Sequence, residues 1–354
     1  MSRRMRIAAL AAVVVLGPTG TAAAQAAPAG ETVVTVSGER PVPLVSPDGG
    51  TLYVVAVESD GSVSVKAVDV RTGATRGRVG LGALEWGVNA ALSADGSRLY
   101  VADGQRLVVV DTAGRAVLAT VALPDQPRPA RWSAGPALGL AVGADGGTVY
   151  VSQRGPMHYK QKPGPGRMLT FDTARRVFTG SVPLPSSGAG APVVRPGGRD
   201  LYIGTSSGIQ HWRTAGPTLV GTVAGTVSAA EFDLAFSPDG TRLFAVDGGS
   251  SGRGDLIDPA TDTVSRHVTL APEGSTVNTA RAGADGSRFY AVKDNAPNKA
   301  QILSVDAATG ETVPEESTTV AEEQLSGLAV GPDALVAGGS NGGYQARLHV
   351  IPLP

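Results

Sequence analysis

Two stretches of this sequence concentrate side chains that can hold charge. Arg128, Arg131 and Trp132 stand between Pro124 and Gly139, and Arg154, His158, Tyr159, Lys160, Lys162 and Arg167 between Ser152 and Arg167. Cations interleaved with aromatic rings suit an anionic polymer: Lys and Arg neutralise its charge while Trp132 or Tyr159 stacks on a ring. The same proline-rich stretches also suit a solvated loop whose Trp covers the strands beneath it. Catalytic patterns are scarce. The four histidines are His158, His211, His267 and His349, and no His-Glu-x-x-His, Gly-x-Ser-x-Gly or phosphate-loop pattern occurs. The glycine-rich run from Asp247 to Gly254 lacks the strand-to-helix context of a phosphate cradle and reads as a loop.

The elements that must position these residues come from a repeated phrase. Ser237-Pro238-Asp239-Gly240-Thr241-Arg242-Leu243-Phe244 returns from Ser46 to Tyr53 and from Ser93 to Tyr100, with looser copies at Gly143, Arg195, Gly283 and Gly331. The seven copies lie 42 to 52 residues apart. Asp-Gly between apolar runs marks a hairpin, because Gly accepts the positive φ of a tight turn. One unit reads as four short strands, within Gly87–Leu92, Arg98–Ala102, Leu107–Val110 and Ala116–Leu123. That is the content of one propeller blade. Asp69, Asp111, Asp172, Asp258 and Asp306 close third strands, and their carboxylates are expected on turn amides.

The last unit has only three strands, Leu325–Val330, Asp333–Ala337 and Arg347–Ile351, while Thr32–Val36 precedes the first unit unattached. Placing that segment outside the last blade closes the ring and removes its free edges. The expected fold is therefore all-β, a seven-bladed β-propeller of four-stranded antiparallel blades. First-to-second and third-to-fourth connections are short and stereotyped, and they share one face. The variable connections share the other, where a rigid ring would present a binding site.

Around the channel on that variable face stand Trp86 beside Glu85, Asn89, Glu231, Asp233, Asn278 and Arg281. Asn89, Asp233 and Asn278 fall near the starts of innermost strands. Oxygen groups there can line the channel or hold a Ca²⁺ or Mg²⁺ ion. No metal ligand set and no other cofactor is assigned. Arg281 either meets an anion in the channel or pairs with an acid such as Asp233.

The segments Ser46 to Val55 and Val108-Val109-Val110-Asp111-Thr112 resemble the YVTN-type bacterial propeller repeat. That group is similar to the surface-layer and YncE-like propellers and, more distantly, to lactonase-type propellers. The resemblance spans nearly the whole chain after residue 26 and concerns fold. The Asn that names the repeat is replaced near its position by Val55, Asp103, Gln153, Thr205, Asp247 or Lys293, and no Trp-Asp signature of the WD40 class appears. Such families include binding proteins and enzymes, so the fold alone does not decide between them.

Arg3, Arg4 and Arg6 precede an apolar stretch from Ile7 to Leu16, and Ala24-Gln25-Ala26 offers a cleavage site. This pattern predicts a cleaved signal peptide over residues 1–26, followed by one propeller domain over 27–354. Without those three arginines the formal charge moves from -1 to about -4, which disfavours nucleic acid as a partner. The absence of cysteine excludes disulfides, thiolate metal sites, a cysteine nucleophile and a lipoprotein anchor. The expectation is a secreted, monomeric protein with no membrane span after cleavage. It would bind an extracellular or cell-envelope ligand, an anionic polysaccharide or a protein, and act as a binding module rather than an enzyme. A lactonase-type hydrolase or lyase at the channel mouth is the alternative.

Overall fold

The computed structural model describes residues 30–226, 232–295, 299–320, 325–340 and 343–353, so the expected signal peptide lies outside the described residues. The strands form seven four-stranded antiparallel sheets. Six follow chain order from inside to outside. Their innermost strands are Glu39–Val45, Val88–Leu92, Ala137–Val142, Val193–Val194, Phe232–Phe236 and Val277–Ala282. The seventh orders Leu325–Val330, Ala334–Ser340, Gln345–Pro352 and then Thr32–Ser37. The ring therefore closes as the sequence predicts, with Val34 opposite Leu348 and Val36 opposite Ala346. Beside this seam, buried His349 pairs through Nδ1 with Glu31.

There is no single core. Seven apolar clusters form, one at each junction between adjacent blades. Successive side chains of a strand point to opposite faces, so one strand feeds two junctions. Leu99 and Val101 pack toward blade one, whereas Tyr100 and Ala102 pack toward blade three. This explains why middle strands read as continuous apolar runs.

The repeated phrase works through local bonds. Ser93 Oγ donates to Asp95 Oδ1 (2.6 Å) and accepts from the Arg98 N–H (2.9 Å), while Asp95 Oδ1 accepts from the Ser97 N–H (3.0 Å). Ser237 and Asp239 repeat the arrangement. The hydroxyl bond and the turn amide bring both carboxyls down to about 2. The phrase also joins neighbouring blades. Gly96 has φ +71°, and a methyl there would meet Pro47 Cδ of the preceding blade at 2.8 Å. Pro196 on Gly240, Pro238 on Gly286 and Pro332 on Gly49 make the same inter-blade approach.

Of the third-strand aspartates, Asp69, Asp172, Asp258 and Asp306 accept turn N–H groups as expected. Asp111 departs from this pattern and accepts Arg98 Nη1 at 2.9 Å. The positions where the repeat's Asn is missing also serve turns on the variable face. Asp103 accepts the Glu85 and Trp86 N–H groups, and Gln153 Nε2 donates to the Gly135 carbonyl. The junction of blades four and five carries a polar network. His211 lies between Asp262 Oδ2 (2.7 Å) and Asp200 Oδ1 (3.1 Å), stacked on Tyr202 with centroids 4.5 Å apart.

Candidate functional site

The two cationic stretches meet. The connection after Leu123 and the excursion after Gln153 are joined by reciprocal backbone bonds between Ser133 and Met157, at 3.0 and 2.9 Å. Gln126, buried beneath them, accepts from the Gly135 N–H and donates to the Arg154 carbonyl, both at 2.9 Å. Arg167 is also buried; it reaches Gln153 Oε1 (2.7 Å) and the carbonyls of Asp125 and Pro124. Gly155 is required because a Cβ there would overlap the Gly164 carbonyl.

On this base stands an aromatic row. Trp132 stacks on His158 with centroids 5.6 Å apart and planes at 27°. His158 is 4.9 Å from Tyr159, whose ring lies 5.1 Å from Lys160 Nζ. Tyr159 is 84% exposed, and Arg131, Lys160 and Lys162 are exposed beside it. Two cations counted in the sequence are used internally: Arg167 as above, and Arg128, which bonds Asp125 Oδ1 (2.6 Å) and the Gln126 carbonyl (2.7 Å). The Arg128 guanidinium holds the Asp125 carboxyl below its ordinary value. Of the other four, Arg154 is half-buried, and Arg131, Lys160 and Lys162 carry the outward charge.

The second region is the channel, a cavity of about 660 Å³ bounded by the innermost strands. It meets a chamber of about 440 Å³ at the variable-face mouth, where Val88, Asn278 and Ser326 line both. Asn89, Asp233 and Asn278 are each the second residue of an innermost strand and line the channel together. Arg40, Leu138 and Ser326 hold the same position in three other blades and line the channel or the chamber. Sequence reasoning missed these three; the shared strand position was the signal for them. Glu231 lies outside the described residues. Trp86 is 54% exposed and is not among the channel-lining residues.

Arg281 lines the channel and pairs with Asp233, the acid named as its partner. Its Nη1 lies 3.0 Å from Asp233 Oδ2 and its Nε donates to the Leu328 carbonyl at 2.8 Å. Asp233 Oδ2 also accepts the Ala280 N–H. A bulge between Asn278 and Ala280 puts Thr279 at φ +58°, a conformation that costs a β-branched residue about 1–3 kcal/mol. Thr279 Oγ1 donates to Asn278 Oδ1 (3.1 Å), whose Nδ2 donates to Asp294 Oδ2 (2.8 Å). Burial pushes the Asp294 carboxyl above its ordinary value.

Acid–base groups do not gather here. Among the described residues no three Asp, Glu or His side chains are placed to share a metal ion. The histidines stay apart. His211, His267 and His349 each pair with carboxylates of their own surroundings, and His158 Nδ1 accepts the Lys160 N–H at 3.3 Å.

No protein-family model matches the chain, and no curated protein matches it. Among solved structures, the chain is similar to one titled Kuenenia stuttgartiensis hydrazine synthase. The TM-score is 0.65 at 18% identity, over 90% of this chain and 97% of that one. At this identity the likeness concerns the propeller fold.

Proposed function

We propose that this protein is an exported binding propeller that holds an acidic polysaccharide on the aromatic and cationic patch of its variable face. The observation that carries the reading is the row Trp132, His158 and Tyr159, raised on two mutually bonded loops and flanked by Arg131, Lys160 and Lys162. An exposed Tyr and a half-buried Trp present flat faces to sugar rings, and the cations meet carboxylate or sulfate groups at the rim. Export follows from the leader pattern of residues 1–26, and an anionic cell-envelope or extracellular polymer is the partner that patch chemistry favours. The repeat phrases support placement among the YVTN-type propellers. A hydrolase or lyase at the channel mouth would need a converging acid and base. There, Asp233 is engaged by Arg281 and Ala280, and Asp294 by Asn278.

The test is affinity electrophoresis in gels containing polygalacturonate, with neutral dextran as the control. Each of Trp132→Ala and Tyr159→Ala should weaken retention by about tenfold, the worth of one stacked ring. Replacing Arg131, Lys160 and Lys162 with Ser should flatten the salt dependence. Unchanged retention in all of these variants, or equal retention by dextran, would refute the reading.

A further inference from the structure

Polar side chains stand at the second position of four innermost strands, Asn89, Asp233, Asn278 and Ser326, and line the channel toward the variable face; Leu138 holds that position in blade three. Among later residues of the innermost strands, Leu44, Val45, Leu92, Leu140, Ala329 and Val330 line the channel toward the opposite face, and Arg281 is a charged exception. Leu44, Val45, Leu92 and Val330 pack against the inter-blade clusters and stay only partly buried, whereas Leu140 and Ala329 are buried. Apolar surface left wet inside a cavity of this size gains by receiving an apolar occupant.

The channel also carries charge. Among the described residues Arg281 is the one cation lining the 660 Å³ cavity, and its Nη1 is held on Asp233 at the second strand position. Nη1 and Nε are bonded to protein, whereas Nη2 has no hydrogen-bond partner among the described residues. The Asn89 carboxamide likewise makes no side-chain bond among them and lines the same cavity. An open guanidinium nitrogen in a cavity with aliphatic walls matches an acid head on a hydrocarbon tail.

We infer that the channel binds a medium-chain aliphatic carboxylate, its head on Arg281 and its tail along Leu44, Leu92 and Val330. Three or four strand residues separate the second strand position from the far mouth, roughly 10–13 Å at strand rise, which accommodates a tail of about ten carbons. This site is separate from the polysaccharide patch, and neither depends on the other.

The experiment is titration calorimetry of the protein with the series hexanoate, octanoate, decanoate and dodecanoate, and with 1-decanol and decylamine. Each added methylene up to decanoate should tighten binding about three- to fourfold, the value of burying one methylene, with little gain beyond. Decanoate should bind at least about tenfold tighter than decanol or decylamine, as expected for a charge-assisted head contact. Arg281→Gln should remove that preference. Because this change leaves Asp233 unpaired, Leu92→Asn serves as a second variant and should lower the chain-length dependence. No binding by decanoate, a flat chain-length series, or equal affinity for decanol would overturn the inference. The polysaccharide gels read a different surface, so failure of either proposal is distinguishable from failure of the other.

Discussion

Pro332 of the last blade rests on Gly49 of the first: a methyl on Gly49 would stand 3.1 Å from Pro332 Cδ. The contact that links successive blades thus also spans the point where the ring closes. The turn phrase is at once a local hairpin and an inter-blade joint.

Replacing these glycines separates the two roles. Gly96 and Gly146 occupy equivalent turns with φ +71° and +70°, but only Gly96 faces a proline; nothing lies within 4 Å of a methyl at Gly146. Gly146→Ala should cost about 1 kcal/mol for the left-handed backbone alone. Gly96→Ala should cost roughly 2–3 kcal/mol, because Pro47 must also move. Urea unfolding of both variants checks this, and equal losses would show that the proline contact contributes nothing.

The seam is the next point of test. Val34 and Val36 of the closing strand are buried among Leu52, Val54, Val336 and Leu348. Val34→Ala with Val36→Ala should lower stability by roughly 3 kcal/mol. Deleting residues 32–37 should lower the melting temperature much further by exposing the edge of Gln345–Pro352. A melting temperature unchanged by that deletion would contradict closure by this strand.

His211→Ala should destabilise the junction of blades four and five by about 3 kcal/mol, since Asp200 and Asp262 would lose the ring between them and Tyr202 its stacking partner. His211→Gln, which keeps one hydrogen-bonding group, should recover part of the loss. Thermal melts of the two variants decide it.

Acid should weaken the fold through the turn phrase. Asp95 and Asp239 fall from 3.8 to about 2 in the folded chain, chiefly through the Ser93 and Ser237 hydroxyls. Depressed carboxyls bind fewer protons folded than unfolded, so their stabilisation is complete above about pH 4 and drains away as pH falls through 2. Melting temperatures recorded from pH 6 to 2 should show that decline, and Ser93→Ala with Ser237→Ala should flatten it. An identical decline in the double variant would assign acid sensitivity to other groups.

The number of blades, their strand content and the closing segment were all legible from residue types. The interactions that encode them are short in sequence: Ser93 to Asp95, Asp95 to Ser97 and Arg98 to Ser93 span five residues or fewer. Such bonds form wherever the local phrase occurs, so spelling and geometry coincide. The meeting of Trp132 with His158, the joining of Arg281 to Asp233 and the shared position of Arg40, Asn89 and Ser326 depend instead on strand register and closure. Arg128 and Arg131 look alike on paper. Only the folded loops engage one with Asp125 and leave the other outward, because a side chain's availability is decided by what the rest of the chain brings beside it.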